Sequence, residues 1–204
     1  MPFLKKSGGP YDLEAAMAGV KLGTRVLQIG SSALIATIAR RVGLSGQACC
    51  VVDTHSAARR VEKAAAKEGA LVEITQAALQ ALPYEAGSFD LVVLKDVIAD
   101  MRSNDRVATL QQSHRVLRPG GRCLVIEQAV RGGLGALFSR RTVDQHYIRH
   151  GRAQGALEAE GFRPVRVLAE RSGLVFVEGL KPMPQIQEPG DRRQETGEGL
   201  LPAD

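Results

Sequence analysis

Residues 82–94 read Leu82-Pro83-Tyr84-Glu85-Ala86-Gly87-Ser88-Phe89-Asp90-Leu91-Val92-Val93-Leu94, a polar turn followed by a strand whose middle is wholly apolar. A strand that is apolar at successive positions is buried on both faces, which places it near the centre of a mostly parallel sheet.

Working upstream, strand-like runs at 71–74, 48–53 and 25–29 alternate with helical stretches at 56–67 and 33–42, and 11–20 reads as a short entry helix. Gly69 and Gly43 stand where helices end. Downstream, a helix is expected over 104–117, a turn at Arg118-Pro119-Gly120-Gly121, and a fifth strand over 122–127. A helix over 152–160 stops at Gly161. Two last strands, 163–170 and 174–179, are joined by so short a connection, Arg171-Ser172-Gly173, that they must form an antiparallel hairpin. The expected fold is α/β: a Rossmann-like seven-stranded sheet of five parallel strands plus a C-terminal antiparallel hairpin, with helices on both faces.

The bulk composition agrees. The 204 residues suit one domain, with 44% hydrophobic and 24% charged residues. Aromatics are only 4% and Trp is absent, so the core rests on Ala, Val, Leu and Ile. No apolar run reaches the ~20 residues that span a bilayer, and residues 1–10 read as a flexible, basic N-terminus without a signal segment. A cytoplasmic protein is expected, with peripheral attachment to a membrane as a variant. The three cysteines, Cys49, Cys50 and Cys123, read as buried free thiols, and metal-ligand spacing is missing. The net charge of +5 is too mild to argue for nucleic acid.

Three stretches together resemble the class I S-adenosylmethionine-dependent methyltransferases, in the group that includes ubiquinone-biosynthesis enzymes. They are Val26-Leu27-Gln28-Ile29-Gly30, the run 82–93, and Arg115-Val116-Leu117-Arg118-Pro119-Gly120-Gly121-Arg122; the ending Leu157-Glu158-Ala159-Glu160-Gly161-Phe162-Arg163 is typical too. The resemblance covers roughly residues 11–182. A domain over 11–181 is expected, followed by a disordered or partner-bound tail at 182–204, rich in Pro, Gly, Glu and Gln.

The resemblance implies S-adenosylmethionine as cofactor, bound at the carboxyl ends of the strands near the topological switch point. It also shows departures. The family's first loop reads acidic-x-Gly-x-Gly-x-Gly, whereas here the acidic position is Gln28 and only Gly30 remains, with Ser32 and Leu34 at the later glycine positions. Ser32 and Leu34 are expected to intrude on cofactor space. Ser31 and Ser32 offer hydroxyls to the cofactor, or simply form a helix N-cap.

Asp53, with Thr54 beside it, is the implied ribose-binding acid, since a carboxylate accepts from two hydroxyls; it is equally suited to cap the next helix. The adenine-contacting acid is replaced by Ala78, with Leu79 packing on the adenine or in the core. Lys95 and Asp96 follow the fourth strand, Lys95 near the cofactor and Asp96 as base, orienting group or helix cap. His146, with Tyr147 beside it, is the other candidate general base.

The segment 131–152 carries Arg131, Arg140, Arg141, Arg149 and Arg152 against Asp144 alone, five minus one or +4, around the small apolar run 132–138. That pattern suits an anionic surface, a protein partner or a solvated loop. Two functions follow. One is a methyltransferase acting on a small or lipid-like molecule. The alternative is a catalytically inactive methyltransferase-fold protein serving as a binding or scaffold subunit.

Overall fold

The computed structural model describes residues 9–129 and 144–184. Its strands are β1 (Arg25–Ile29), β2 (Gln47–Val52), β3 (Glu73–Gln76), β4 (Phe89–Lys95), β5 (Leu117–Gln128), β6 (Val165–Arg171) and β7 (Leu174–Leu180), in one sheet ordered β3-β2-β1-β4-β5-β7-β6. The helices are α1 (Asp12–Met17), α2 (Leu34–Val42), α3 (His55–Glu68), α4 (Ser103–Val116), α5 (Gln145–Arg149) and α6 (Arg152–Ala159), with a 3-10 turn at Ile98–Asp100.

The first five strands are parallel, with β4 beside β1, so the strand order reverses between them. The C-terminal hairpin forms as expected, but β7 inserts between β5 and β6 and is antiparallel to both, so β6 runs parallel to the first five. The hairpin turn requires positive φ at Ser172 (56°) and Gly173 (75°), the combination that matches a tight turn to strand twist.

Alternation along the strands builds two cores. Leu27, Ile29, Val92, Leu94 and Val125 face one side, where α4 and α6 add Leu110, Val116 and Leu157. Val26, Cys50, Leu91, Val93 and Leu124 face the other, where α1, α2 and α3 supply Ala15, Leu34, Ile38 and Val61. Helix α2 puts Leu34, Ile35, Ile38, Ala39 and Val42 on one stripe, and each fully buried Leu or Ile contributes about 1.5–3 kcal/mol. Thr54 caps α3, accepting from the Ala57 N–H at 3.3 Å, and Gly69 ends it in the left-handed conformation. All three cysteines are free and buried, and burial pushes the Cys49 and Cys50 thiols up to about 12.

Several boundaries differ from expectation: α1 ends at Met17 rather than at 20, and β6 starts at Val165 rather than at 163. The third strand lies later, at Glu73–Gln76, because those residues find the register with Cys49–Val52, while Leu71 is left 78% exposed. The Pro-Gly-Gly turn is absorbed into β5: Phe89 pairs with Leu117, and the register then shifts so that Leu91 pairs with Arg122. Among the described residues, no helix is long and apolar enough to cross a membrane.

Candidate functional site

The reversal of strand order brings the loop after β1 against the loop after β4. Gly30 makes the contact possible: its φ is 97°, and a Cβ there would lie 2.5 Å from Cγ2 of Val97. Its N–H bonds the Val51 carbonyl at 2.8 Å, which ties the loop to β2.

Gln28 is fully buried beneath this loop. Its Nε2 donates to the carbonyls of Gly30 at 3.0 Å and Ser32 at 2.6 Å. Ser31 accepts from the Arg60 guanidinium of α3 at 3.2 Å. The Ser32 hydroxyl turns back and accepts from the Leu34 N–H at 3.3 Å. Leu34 points into the core shared with α1 and α3 and is fully buried. The expectation that Leu34 intrudes on a ligand is therefore corrected, because its side chain is core; Ser32 is half-buried at the loop, its hydroxyl bonded to the first N–H of α2. Gln28, Gly30, Ser31 and Ser32 do come together.

Asp53 follows β2 and is exposed. The capping role falls to Thr54 instead, so Thr54 is committed to the backbone of α3. Among the described residues, Asp53 has no hydrogen bond or ion pair. Beyond β3, Ala78 is exposed and offers only a methyl group, while Leu79 is buried in the α4-side core.

After β4 the chain turns at Asp96, which holds a positive φ of 55°. Lys95 is 10% exposed and lies between two acids, 3.6 Å from Glu14 of α1 and 3.2 Å from Asp96. Its amine is thereby turned toward α1. The Asp96 N–H bonds the Ile126 carbonyl at 2.9 Å, which sets Asp96 beside the end of β5.

There the structure assembles a group that sequence reasoning missed. Glu127 closes β5 and is buried; it accepts a short hydrogen bond from the Tyr147 hydroxyl and lies 3.4 Å from Arg152. The Arg106 guanidinium stacks over the Tyr147 ring at 4.2 Å and donates to the carbonyls of Ile98 and Met101 at 2.9 and 2.8 Å. It also pairs with Asp144 at 3.3 Å. Burial pushes the Glu127 carboxyl above its usual range, and Asp96 adds to that, while Tyr147 and Arg152 oppose it. A signal existed: Arg106 shares a helical stripe with Thr109, Leu110, Ser113 and Val116, all buried.

His146 lies elsewhere. Its ring is exposed and stacks on His150 at 3.8 Å, on the face of α5 that Tyr147 does not use. Of the basic segment, Arg149 is exposed, and Arg152 is drawn into the Glu127 pair rather than left for a surface. Arg131, Arg140, Arg141, the apolar run 132–138 and the tail from 185 onward lie outside the described residues.

A family profile described as methyltransferase domain matches residues 27–125. The chain is 31% identical over 172 residues to the ubiquinone/menaquinone biosynthesis C-methyltransferase UbiE of Marinomonas sp. (strain MWYL1), covering 80% of this chain and 66% of that one. It is 30% identical over 115 residues to the UbiE of Idiomarina loihiensis, covering 54% of this chain and 45% of that protein. The chain thus spans less than two thirds of these curated relatives. Among solved structures, a SAM-dependent methyltransferase from Aquifex aeolicus shares the fold, with a TM-score of 0.67 at 18% identity over 84% of this chain and 93% of that one.

Proposed function

The chain belongs to the class I S-adenosylmethionine-dependent methyltransferases, and from that premise we propose that it transfers a methyl group from S-adenosylmethionine to a small, quinone-related ring held over the carboxyl ends of β1 and β4. The observation that carries this reading is Asp53. It is an exposed carboxylate at the end of β2, next to the Gly30 loop, with no partner among the described residues and with the capping duty taken by Thr54. A carboxylate accepts from two donors at once, which suits the paired hydroxyls of a ribose.

The residues fit the cofactor at its nucleoside end. Gly30 lets the loop after β1 pack against Val97 of the loop after β4, which sets the two loops side by side at the crevice. Asp53 would hold the ribose, and the loop 30–32 would line the sugar. When bound, the cofactor supplies an electrophilic methyl group on a sulfonium. The protein has to hold the acceptor in line with that methyl group and exclude water, and such positioning can lower a barrier by about 7–11 kcal/mol. Asp96, steadied by Lys95 at 3.2 Å, is the carboxylate at the end of β4 that would orient the acceptor or take its proton. The acceptor class is supported by the names of the curated relatives. A cytoplasmic location, with contact to a lipid-borne acceptor at a membrane surface, belongs to the same proposal.

Calorimetric titration with S-adenosylmethionine and S-adenosylhomocysteine tests it. Binding near the micromolar range, weakened at least about tenfold in Asp53→Ala, is the expected result. An absence of heat at millimolar ligand overturns the reading and leaves an inactive scaffold as the function of this fold.

A further inference from the structure

The three most exposed large apolar side chains among the described residues are Leu22, Leu44 and Leu71, at 77%, 92% and 78%. Each stands two or three residues before a strand, Leu22 before β1, Leu44 before β2 and Leu71 before β3. These strands are parallel neighbours in the sheet. The leucines therefore collect at the amino ends of the strands, the end of the sheet opposite the Gly30 loop and Asp53.

They form one surface. Leu22 lies over Gly43, where an added Cβ would meet its Cδ2 at 2.9 Å. Leu44 and Leu71 line one groove of about 630 Å³ together with Gly43, Ala70 and Val72. A lone exposed leucine is ordinary, but leucines joined along a groove leave a patch that a covering segment would take out of water.

The described chain ends beside this surface. The Lys181 N–H bonds the Gly121 carbonyl at 2.8 Å, and the Gly120 N–H bonds the Lys181 carbonyl at 2.9 Å. Met183 then packs on Gly120, its Sδ 3.2 Å from the place of an added Cβ. Gly120 lines a second hollow, of about 500 Å³, and so does Leu22. Lys21, Arg118 and Arg122 line that hollow against Asp90 as its one acid.

Residues 185–204 have the complementary composition. Leu200-Leu201 is the one adjacent apolar pair among them. Glu188, Asp191, Glu195, Glu198 and Asp204 against Arg192 and Arg193 give two minus five, or −3, which leaves 25 minus 17, or +8, on the rest of the chain.

We infer that Leu200-Leu201 docks in the groove formed by Leu44 and Leu71, so that the intervening residues cross the amino ends of β4, β1 and β2 as a strap. The reach is sufficient. From β5 to β3 is four strand spacings, about 19 Å. Sixteen residues, 185–200, extend to ~55 Å at most, and the r.m.s. span of an unstructured linker of that length is ~20–24 Å. A linker whose span matches the crossing presents its end at a millimolar effective concentration, so a weak apolar contact suffices. A second copy of the chain would have to reach the groove from far more dilute solution. Glu188 and Asp191 come soon after Pro184 and pass the hollow that Lys21 and Arg118 line. Nothing in this arrangement depends on the cofactor.

The experiment places the photocrosslinker p-benzoylphenylalanine at position 201 of the full chain. Irradiation is expected to give crosslinks within one chain, to residues 43–47 or 69–73. Crosslinks between two chains put a second copy in the groove and overturn the inference. Crosslinks elsewhere in the chain, or none, overturn it as well.

Hydrogen exchange on the full chain supplies a measure without the bulky probe. In Leu200→Ser/Leu201→Ser, amides of 43–47 and 69–73 should exchange at least about threefold faster than in the native protein, with β7 unchanged. The native protection should be the same at about 1 and 100 µM protein, as an intramolecular contact requires. Equal exchange in the two proteins, or protection that grows with concentration, overturns the strap.

Discussion

Arg115 and Tyr84 are joined by a 2.7 Å hydrogen bond from guanidinium to main-chain carbonyl. The same guanidinium donates to the Leu82 carbonyl at 2.9 Å and is steadied by Gln112. In return, the Gly87 N–H bonds the Arg115 carbonyl at 3.1 Å. The end of α4 thus holds the turn that leads into the central strand. Arg115→Ala removes donors from two carbonyls and is expected to destabilise the fold by about 2–4 kcal/mol. Arg115→Lys, with no fork to reach both carbonyls, should recover less than half of that. Urea denaturation at unchanged m-value reads both, and a loss below ~0.5 kcal/mol for the alanine variant would contradict the bracing role.

Tyr147 and Glu127 give a second expectation with a defined pH dependence. Burial pushes the Glu127 carboxyl up, and the Tyr147 hydroxyl opposes that by bonding the charged form. Tyr147→Phe leaves a buried carboxylate short of a donor, at about 1–3 kcal/mol when Glu127 is ionised. A raised folded pKa means stability that is present below the unfolded value, 4.5 here, and is lost as pH rises through the folded value. Losing the hydroxyl raises the folded value further. The difference between Tyr147→Phe and the native protein should therefore grow from pH 5 to pH 8. Equal differences at both pH values would show that Tyr147 does not act on Glu127.

Glu178 runs the opposite way. Burial raises its carboxyl, but hydrogen bonds from Arg122 and Arg166 outweigh that and hold it below the usual range. Arg122 and Arg166 each approach to 2.8 Å, and Arg122 also donates to the Ala18 carbonyl just beyond α1. A lowered folded pKa means stability present above the unfolded value of 4.5 and lost as pH falls through the folded one. Glu178→Gln should destabilise by about 1–2 kcal/mol at pH 7, since the arginines it leaves behind reach solvent and only the charge-assisted part of the bonds is lost. That difference should shrink toward pH 3. A constant difference across pH 3–7 would mean that the ionic contribution is absent.

Much of the fold was legible because burial leaves a simple signature. The alternation that sends Leu27 and Val92 to one core and Val26 and Leu91 to the other is fixed by strand periodicity. Leu71 was misread because apolar character marks a strand only where a partner register exists, and β2 offers its register to Glu73–Gln76 instead. At the site, sequence identified Gln28 as a departure but not its effect, since the Gly30 and Ser32 carbonyls become its partners only when the loop folds over it. Glu127 and Tyr147 stand 20 positions apart on different elements, and no local pattern links them. Leu34 looked like an obstacle because it stands at a glycine position of the resemblance, but it opens helix α2 on the buried stripe, which turns that side chain into the core.

Gly30 carries the last expectation, because two separate causes forbid a side chain there. Its φ of 97° lies where residues with a Cβ are strained, and an added Cβ would meet Val97 Cγ2 at 2.5 Å. The strain alone costs about 1–3 kcal/mol. The clash adds to it, because Val97 is partly buried and packs against the α4-side core. The two causes separate in a double-mutant cycle. Gly30→Ala in the native background should cost more than Gly30→Ala in a Val97→Ala background, by about 1 kcal/mol, since only the clash is relieved. The remainder, near 2 kcal/mol, belongs to the backbone and should persist in both. Equal costs in the two backgrounds would mean that Val97 moves aside freely and that the loops after β1 and β4 are not held against each other. Gly30→Ala should also weaken S-adenosylhomocysteine binding in both backgrounds, because the displaced loop is the one that would line the ribose.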